Sequence, residues 1–289
     1  MNTYEQRISI INDEISTDVA TTINFFKAND VKNIEIRTIG KKNIVDLDIS
    51  EVEEIAALLK KNAMNVSAIA SPLFKWSLKN EVNANKMDTF YFNQDIDERA
   101  KRAYITKTIQ LAKILKTDLI RVFSTLRPKA TVRYSILGDP LFNFALDEAQ
   151  KAGVLLALEN EPPCFVHKMD DIKHIFDGTE HPALKLWFDV ANFYKVGDKV
   201  SREDLECLSG AIRYFHLKDF DVNGNYVPLG KGIINYERIL EDIKSIFDDA
   251  NIYLSLETHV KSPQEASTLE ALTALKQILA KRRPIPSSS

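Results

Sequence analysis

"VLLALENEPP", residues 154–163, turns from apolar to acidic within the length of one strand. The run up to Leu158 reads as a fully buried strand, bounded at its end by two prolines. Side chains alternate across a strand, so Glu159 and Glu161 share a face with Asn160 between them. A buried strand that ends in two carboxylates on one side has no structural need of them. Their purpose has to be read from the remainder of the chain.

The same kind of run recurs at regular intervals: "RISII" (7–11), "NIEIR" (33–37), "NVSAIA" (65–70), "DLIRVFS" (118–124), "LKLWFD" (184–189), "IRYFHLK" (212–218) and "IYLSLE" (252–257). Helical patterns lie between them. In 50–63, Val52, Ile55, Ala56 and Leu59 fall on one helical face, and in 235–250 Ile239, Ile243, Ile246 and Phe247 do the same. Regular βα alternation implies a parallel sheet with helices outside. Eight units in 289 residues without a clear linker predict one closed (β/α)8 TIM barrel, an α/β single domain over residues 1–280, with a flexible tail at 281–289. A doubly wound open sheet is the alternative. No GxGxxG follows the first strand to support it. One connection breaks the period: residues 71–96, "SPLFKWSLKNEVNANKMDTFYFNQDI", lie between the third strand and its helix. They read as a candidate lid with Phe74 and Trp76 as apolar covers, or as an ordered surface loop.

Composition narrows the class. The chain is 45% hydrophobic with a net charge of −3, enough for a large core and without general attraction to nucleic acid or anionic membranes. No apolar run approaches the roughly 18 residues of a membrane span. "MNTYEQRISIINDE" has no basic region followed by an apolar stretch, so no signal peptide is expected. The two cysteines, Cys164 and Cys207, form neither a disulfide framework nor a metal spacing. A cytoplasmic protein is the expectation. No helix shows a surplus apolar face, which leaves an oligomer open.

In a barrel of this kind, chemistry collects where strands end at the C-terminal face. Here Glu159, Asp189, His216 and Glu257 each close an apolar run, on four consecutive strands. Three carboxylates and an imidazole converging in a dry mouth would be forced to take up protons unless a cation compensated them. An oxygen-rich set with one imidazole suits one divalent metal ion, Mn²⁺, Mg²⁺, Co²⁺ or Zn²⁺, and salt bridging to nearby Lys and Arg is the alternative. Glu161, Lys218 and His259 follow the set by one pleat and are candidate substrate-binding residues. Glu35 and Arg37 share a face of the second strand. They read either as a polar layer or ion pair inside the barrel, or, for Arg37 in particular, as substrate ligands. Arg121 is similar. Gly230 and Gly232 are expected to shape the turn before the following helix through backbone conformations closed to other residues. His167, His174 and His181 read as surface histidines, and Cys164 has no visible base to make it a nucleophile.

With these residues in place the chain resembles the xylose-isomerase-like barrel superfamily of sugar isomerases and epimerases. "IEIR", "LENE", "FDVANF", "HLKD", "PLGKGIINYERIL" and "LSLETH" carry the resemblance, in order, over nearly the whole chain. It implies that Glu159, Asp189, His216 and Glu257 are the four ligands of a single divalent metal. It also implies that Glu159 and Glu257 are the catalytic pair on opposite sides of a ketose or related hydroxy-carbonyl substrate. One would remove a proton next to the metal-polarised carbonyl, and the other would return it through a cis-enediolate. Where many epimerases of this group have histidine, three residues after the strand-six aspartate, this chain has Asn192, which can hydrogen-bond a substrate hydroxyl but does not titrate. Trp76 is the remaining candidate substrate contact. "HLKD" also occurs in dehydratase-like branches, so a dehydratase or lyase on a keto-sugar or keto-inositol is the alternative. A non-catalytic sugar-binding barrel is a third reading. An apurinic-endonuclease-like nuclease is disfavoured by a chain with no histidine before His167 and no basic stripe. The expected partner is a small-molecule carbohydrate, with neither nucleic acid nor membrane.

Overall fold

The computed structural model describes residues 3–77, 97–128, 134–248 and 251–281. Within them eight parallel strands, β1 (Ile8–Ile11), β2 (Asn33–Ile36), β3 (Asn65–Ile69), β4 (Leu119–Val122), β5 (Leu155–Glu159), β6 (Leu184–Asp189), β7 (Ile212–Leu217) and β8 (Tyr253–Leu256), pair in chain order. β8 returns to β1 and the sheet closes. Closure excludes the open doubly wound sheet and establishes the predicted single-domain TIM barrel.

A parallel pair needs a crossover, and the helices supply it. They are α1 (Val19–Ala28), α2 (Ile49–Lys61), α3 (Glu98–Leu115), α4 (Pro140–Ala152), α5 (Met169–Asp177), the short α6 (Val190–Lys195) and α7 (Arg202–Cys207), α8 (Tyr236–Ile246) and α9 (Gln264–Ala280). The sequence sets their ends. Asp139 caps α4 by accepting the Leu141 N–H, Pro140 opens its first turn, and Gly153 ends it at φ +66°. The turn into β5 is therefore fixed just before the stretch that carries Glu159. No helix of the described residues is long and apolar enough to cross a membrane.

The main core lies between the outer faces of the strands and the helices. Inside the barrel a smaller cluster forms a floor: Leu119, Ala157, Trp187 and Tyr214, with Trp187 stacked on Tyr214 at 3.8 Å between ring centroids. Because the side-chain period is two, the residues two places further along the same strands point into the same lumen. Those residues are Arg121, Glu159, Asp189 and His216.

The first part of the long connection is described, and it belongs to the wall. Phe123, Thr125 and Leu126 donate their N–H groups to the carbonyls of Leu73, Phe74 and Trp76 at 2.8–2.9 Å. Phe74 packs on Trp76 and Phe142, and all three are buried. Residues 78–96 of the candidate lid, and 282–289 of the tail, lie outside the described residues.

Candidate metal centre

Glu159 on β5, Asp189 at the end of β6, His216 on β7 and Glu257 just beyond β8 are all buried, and one ligand atom from each lies within 4.8 Å of the others. His216 Nδ1 sits 3.2 Å from Glu159 Oε1, 3.0 Å from Glu257 Oε2 and 3.8 Å from Asp189 Oδ2. Neither His216 Nδ1 nor Asp189 Oδ2 has an aligned hydrogen-bond partner despite complete burial. Buried polar atoms are rarely left so; Asp189 Oδ2 is met by the Lys218 ammonium at 2.7 Å, but His216 Nδ1 faces three carboxylate oxygens, and such a set fits a divalent cation.

Basic side chains surround the group. Arg121 Nη1 lies 3.2 Å from Glu159, Arg37 Nη1 2.6 Å from Glu257, and the Lys218 ammonium bridges Asp189 Oδ2 (2.7 Å) and Glu257 Oε2 (2.8 Å). The electrostatics follow. Burial would raise Glu159, but the Arg121 guanidinium and His216 hold it at about 2. Burial also opposes ionisation of Glu257, yet the Lys218 ammonium and His216 keep it well below the usual carboxylate range. Asp189 is pushed up to about 7 by burial and by the Glu159 carboxylate, in spite of Lys218. His216 is buried, which disfavours its charge, but Glu35 and Glu257 hold it well above the ordinary imidazole value.

The other predicted residues fall at graded distances from this centre. Glu161 is held between Lys75 Nζ (2.7 Å) and the Asn192 amide (2.9 Å). Asn192 also donates to the Asn160 carbonyl, and its own N–H caps onto Asp189 Oδ1. Arg37 joins Glu257 to Asp13, combining the ion-pair reading with a place at the site. His259 has φ +56° and lies 3.5 Å from Glu257 Oε1, under the Tyr226 ring. Burial, with help from the Lys218 and Arg37 cations, lowers it to about 3, so its imidazole is neutral. Trp76 does not cover the mouth: its ring packs on Phe74 in the core, and it is the neighbouring Lys75 that reaches the site, through Glu161. Gly232 is also corrected. Gly230 has φ +84°, as expected, but Gly232 is needed for space, because a Cβ there would lie 2.1 Å from Asp219 Oδ1.

Three roles escaped sequence reasoning. Lys75 lay hidden in an apolar stretch. Asn160, whose amide accepts from Asp189 N and donates to Asp189 O, clamps the ends of β5 and β6 together. Its position between two acids in "ENEP", facing the neighbouring strand, was the available signal. Asp219 gathers the N–H groups of Phe220, Gly230, Gly232 and Ile234 and so fixes the loop after β7, directly behind Lys218.

Fold and site together define a TIM barrel whose mouth holds a buried carboxylate–imidazole group fit for a divalent ion. The family model described as "Xylose isomerase-like TIM barrel" matches residues 24–278, and the chain belongs to that family. Among solved structures it is similar to the probable 3-DHS dehydratase AsbF of Bacillus anthracis, at 17% identity over 96% of this chain and 99% of that one, with a TM-score of 0.70. It is also similar to an IolI protein with a bound zinc atom (16%, 96% and 100%, TM-score 0.72). A third likeness is to the 3-keto-D-glucoside 4-epimerase YcjR of E. coli (15%, 94% and 98%, TM-score 0.68). At these identities the likeness carries the fold. No curated protein matches the chain by sequence.

Proposed function

We propose that the chain is a divalent-metal-dependent isomerase or epimerase of a ketose or related hydroxy-carbonyl compound. The observation that carries this reading is the convergence of Glu159 and Glu257 on His216 Nδ1, at 3.2 and 3.0 Å, each backed by its own arginine. A bound Mn²⁺, Mg²⁺, Co²⁺ or Zn²⁺, held by Glu159, Asp189, His216 and Glu257, would supply Lewis acidity toward a substrate carbonyl. The chain's own groups do the rest. One of the two glutamates takes the proton from the carbon next to the carbonyl and the C–H electron pair moves into an enediolate; the enediolate is reprotonated from the opposite side through the other glutamate, which draws its proton from solvent while the first releases the one it took. Arg121 and Arg37 keep the pair ionised and oriented. Glu161, fixed by Lys75 and Asn192, and the neutral His259 offer hydrogen bonds to substrate hydroxyls, with Lys218 beside them.

Lys218 supports a second reading. Its buried ammonium, 2.8 Å from Glu257, could protonate a departing hydroxyl after the same first step, which makes the enzyme a dehydratase or lyase. The experiment is elemental mass spectrometry of protein purified without added metal or chelator, followed by a ketose and keto-acid panel in deuterated water. About one divalent ion per chain, deuterium at the carbon next to the carbonyl, and loss of both turnover and exchange in Glu257→Gln support the proposal. A dehydrated product selects the second reading. No ion bound on adding Mn²⁺, Co²⁺ or Zn²⁺ refutes both.

A further inference from the structure

The strongest unassigned feature of the barrel lies beneath the acidic group. Glu35 on β2 is completely buried, and both its oxygens face His216 Nε2, at 3.0 and 2.9 Å. Ser255 on β8, in register with His216 across the β7–β8 pair, donates its hydroxyl to Glu35 Oε2 at 2.6 Å. A carboxylate in the dry interior of a barrel is costly to bury unless its lone pairs are used. Here its side-chain hydrogen bonds go to one imidazole nitrogen and one hydroxyl. The ring is also held from the side: Trp187 meets it edge-on at 4.9 Å and 88°.

We infer that Glu35, seated by Ser255, is the positioning residue that fixes the rotamer and tautomer of His216 and makes Nδ1 the nitrogen presented to the metal. The inference rests on the metal reading above. An imidazole has two inequivalent nitrogens, and the partner of one decides which is left to bind. With Nε2 engaged by Glu35, the other nitrogen, Nδ1, faces the carboxylates of the cluster at 3.0–3.2 Å, where a bound ion would take its lone pair in place of a proton. Turning the ring over would place a C–H against the Glu35 carboxylate and lose its charge-assisted hydrogen bond. Glu35 thereby acts through His216 and touches no substrate.

The test compares wild type, Glu35→Gln and Ser255→Ala by calorimetric titration with Zn²⁺ and Co²⁺, with circular dichroism as the check on folding. Glu35→Gln keeps the volume and removes the charge, and outer partners of metal-bound histidines are worth about 10- to 100-fold in affinity. The expected result is a loss in that range for Glu35→Gln, with unchanged dichroism, a smaller loss for Ser255→Ala, and a shifted Co²⁺ d–d spectrum. Nitrogen-15 spectra of histidine-labelled wild type should show a metal-shifted Nδ1 and a protonated Nε2 at His216. Wild-type affinity in folded Glu35→Gln, or ligation through Nε2, overturns the inference while leaving the metal centre standing. A wild type that binds no ion overturns the inference together with the metal reading, and the wild-type titration alone separates the two failures.

Discussion

Replacing Lys218 by methionine tests whether its ammonium and a divalent ion share the same carboxylate oxygens. The ammonium lies 2.7 Å from Asp189 Oδ2 and 2.8 Å from Glu257 Oε2, and all three side chains are at most 4% exposed. Methionine keeps the apolar stem and removes the terminal ammonium with its charge and N–H donors. Glu257 retains Arg37 at 2.6 Å, but Asp189 loses its closest cation. Removing one partner of a buried pair typically costs about 3–5 kcal/mol. With an unfolding entropy of roughly 2.1 cal/mol/K per residue, that cost lowers Tm by about 5–8 °C in chelator. The same two oxygens belong to the group proposed to take the divalent ion, so ammonium and ion compete for them. Without the ammonium, Mn²⁺ affinity should rise by about tenfold, or ~1.4 kcal/mol. At 100 times Kd the ion returns about 2.7 kcal/mol of stability. Thermal unfolding with chelator and with Mn²⁺, together with calorimetric titration, reads both quantities. A Tm within about 1 °C of wild type in chelator would show that Asp189 does not depend on the ammonium. Unchanged or weakened Mn²⁺ binding would show that the two cations do not share these oxygens.

Gly232→Ala should destabilise the fold by about 2–4 kcal/mol in urea unfolding, since its Cβ would drive Asp219 out of the ring of four N–H groups and each such charged hydrogen bond is worth about 1.5–3 kcal/mol. Gly230→Ala, by contrast, should act through its φ of +84° and leave the Asp219 cradle intact. Asp204 opposes the cost of partial burial with hydrogen bonds from Lys173 and Ser201, which hold it below its usual value of 3.8. Its stabilisation is therefore complete above the unfolded-state pKa and is lost as pH falls through the lower folded value. Asp204→Asn should flatten the acid limb of the stability curve below pH ~4 and leave the slope at neutral pH unchanged.

The four strand-end residues were legible because each closes an apolar run, and a period of two then sends it into the lumen. Asn160 and Lys75 were not, because their roles are contacts to another strand. Trp76 shows the limit most clearly. An aromatic in a long polar-looking connection suggests a cover, but hydrogen bonds from residues 123–126 draw its backbone into the wall and bury the ring. Glu35 could be read either as an ion pair or as a ligand of substrate. Its actual partner, His216, stands 181 residues away.

By itself, then, the sequence determined the barrel and the identity of its acidic mouth, since both depend on local periodicity: apolar runs of strand length, helical spacing between them, and the residue at which each run stops. Tertiary structure alone decided which charges neutralise which. Arg37 and Glu257 are 220 residues apart, as are Glu35 and Ser255, and they meet only because β8 returns beside β1, which in turn pairs with β2. Coulomb and hydrogen-bond energies act over a few ångströms. Closure of the sheet, which no local pattern encodes residue by residue, sets those distances.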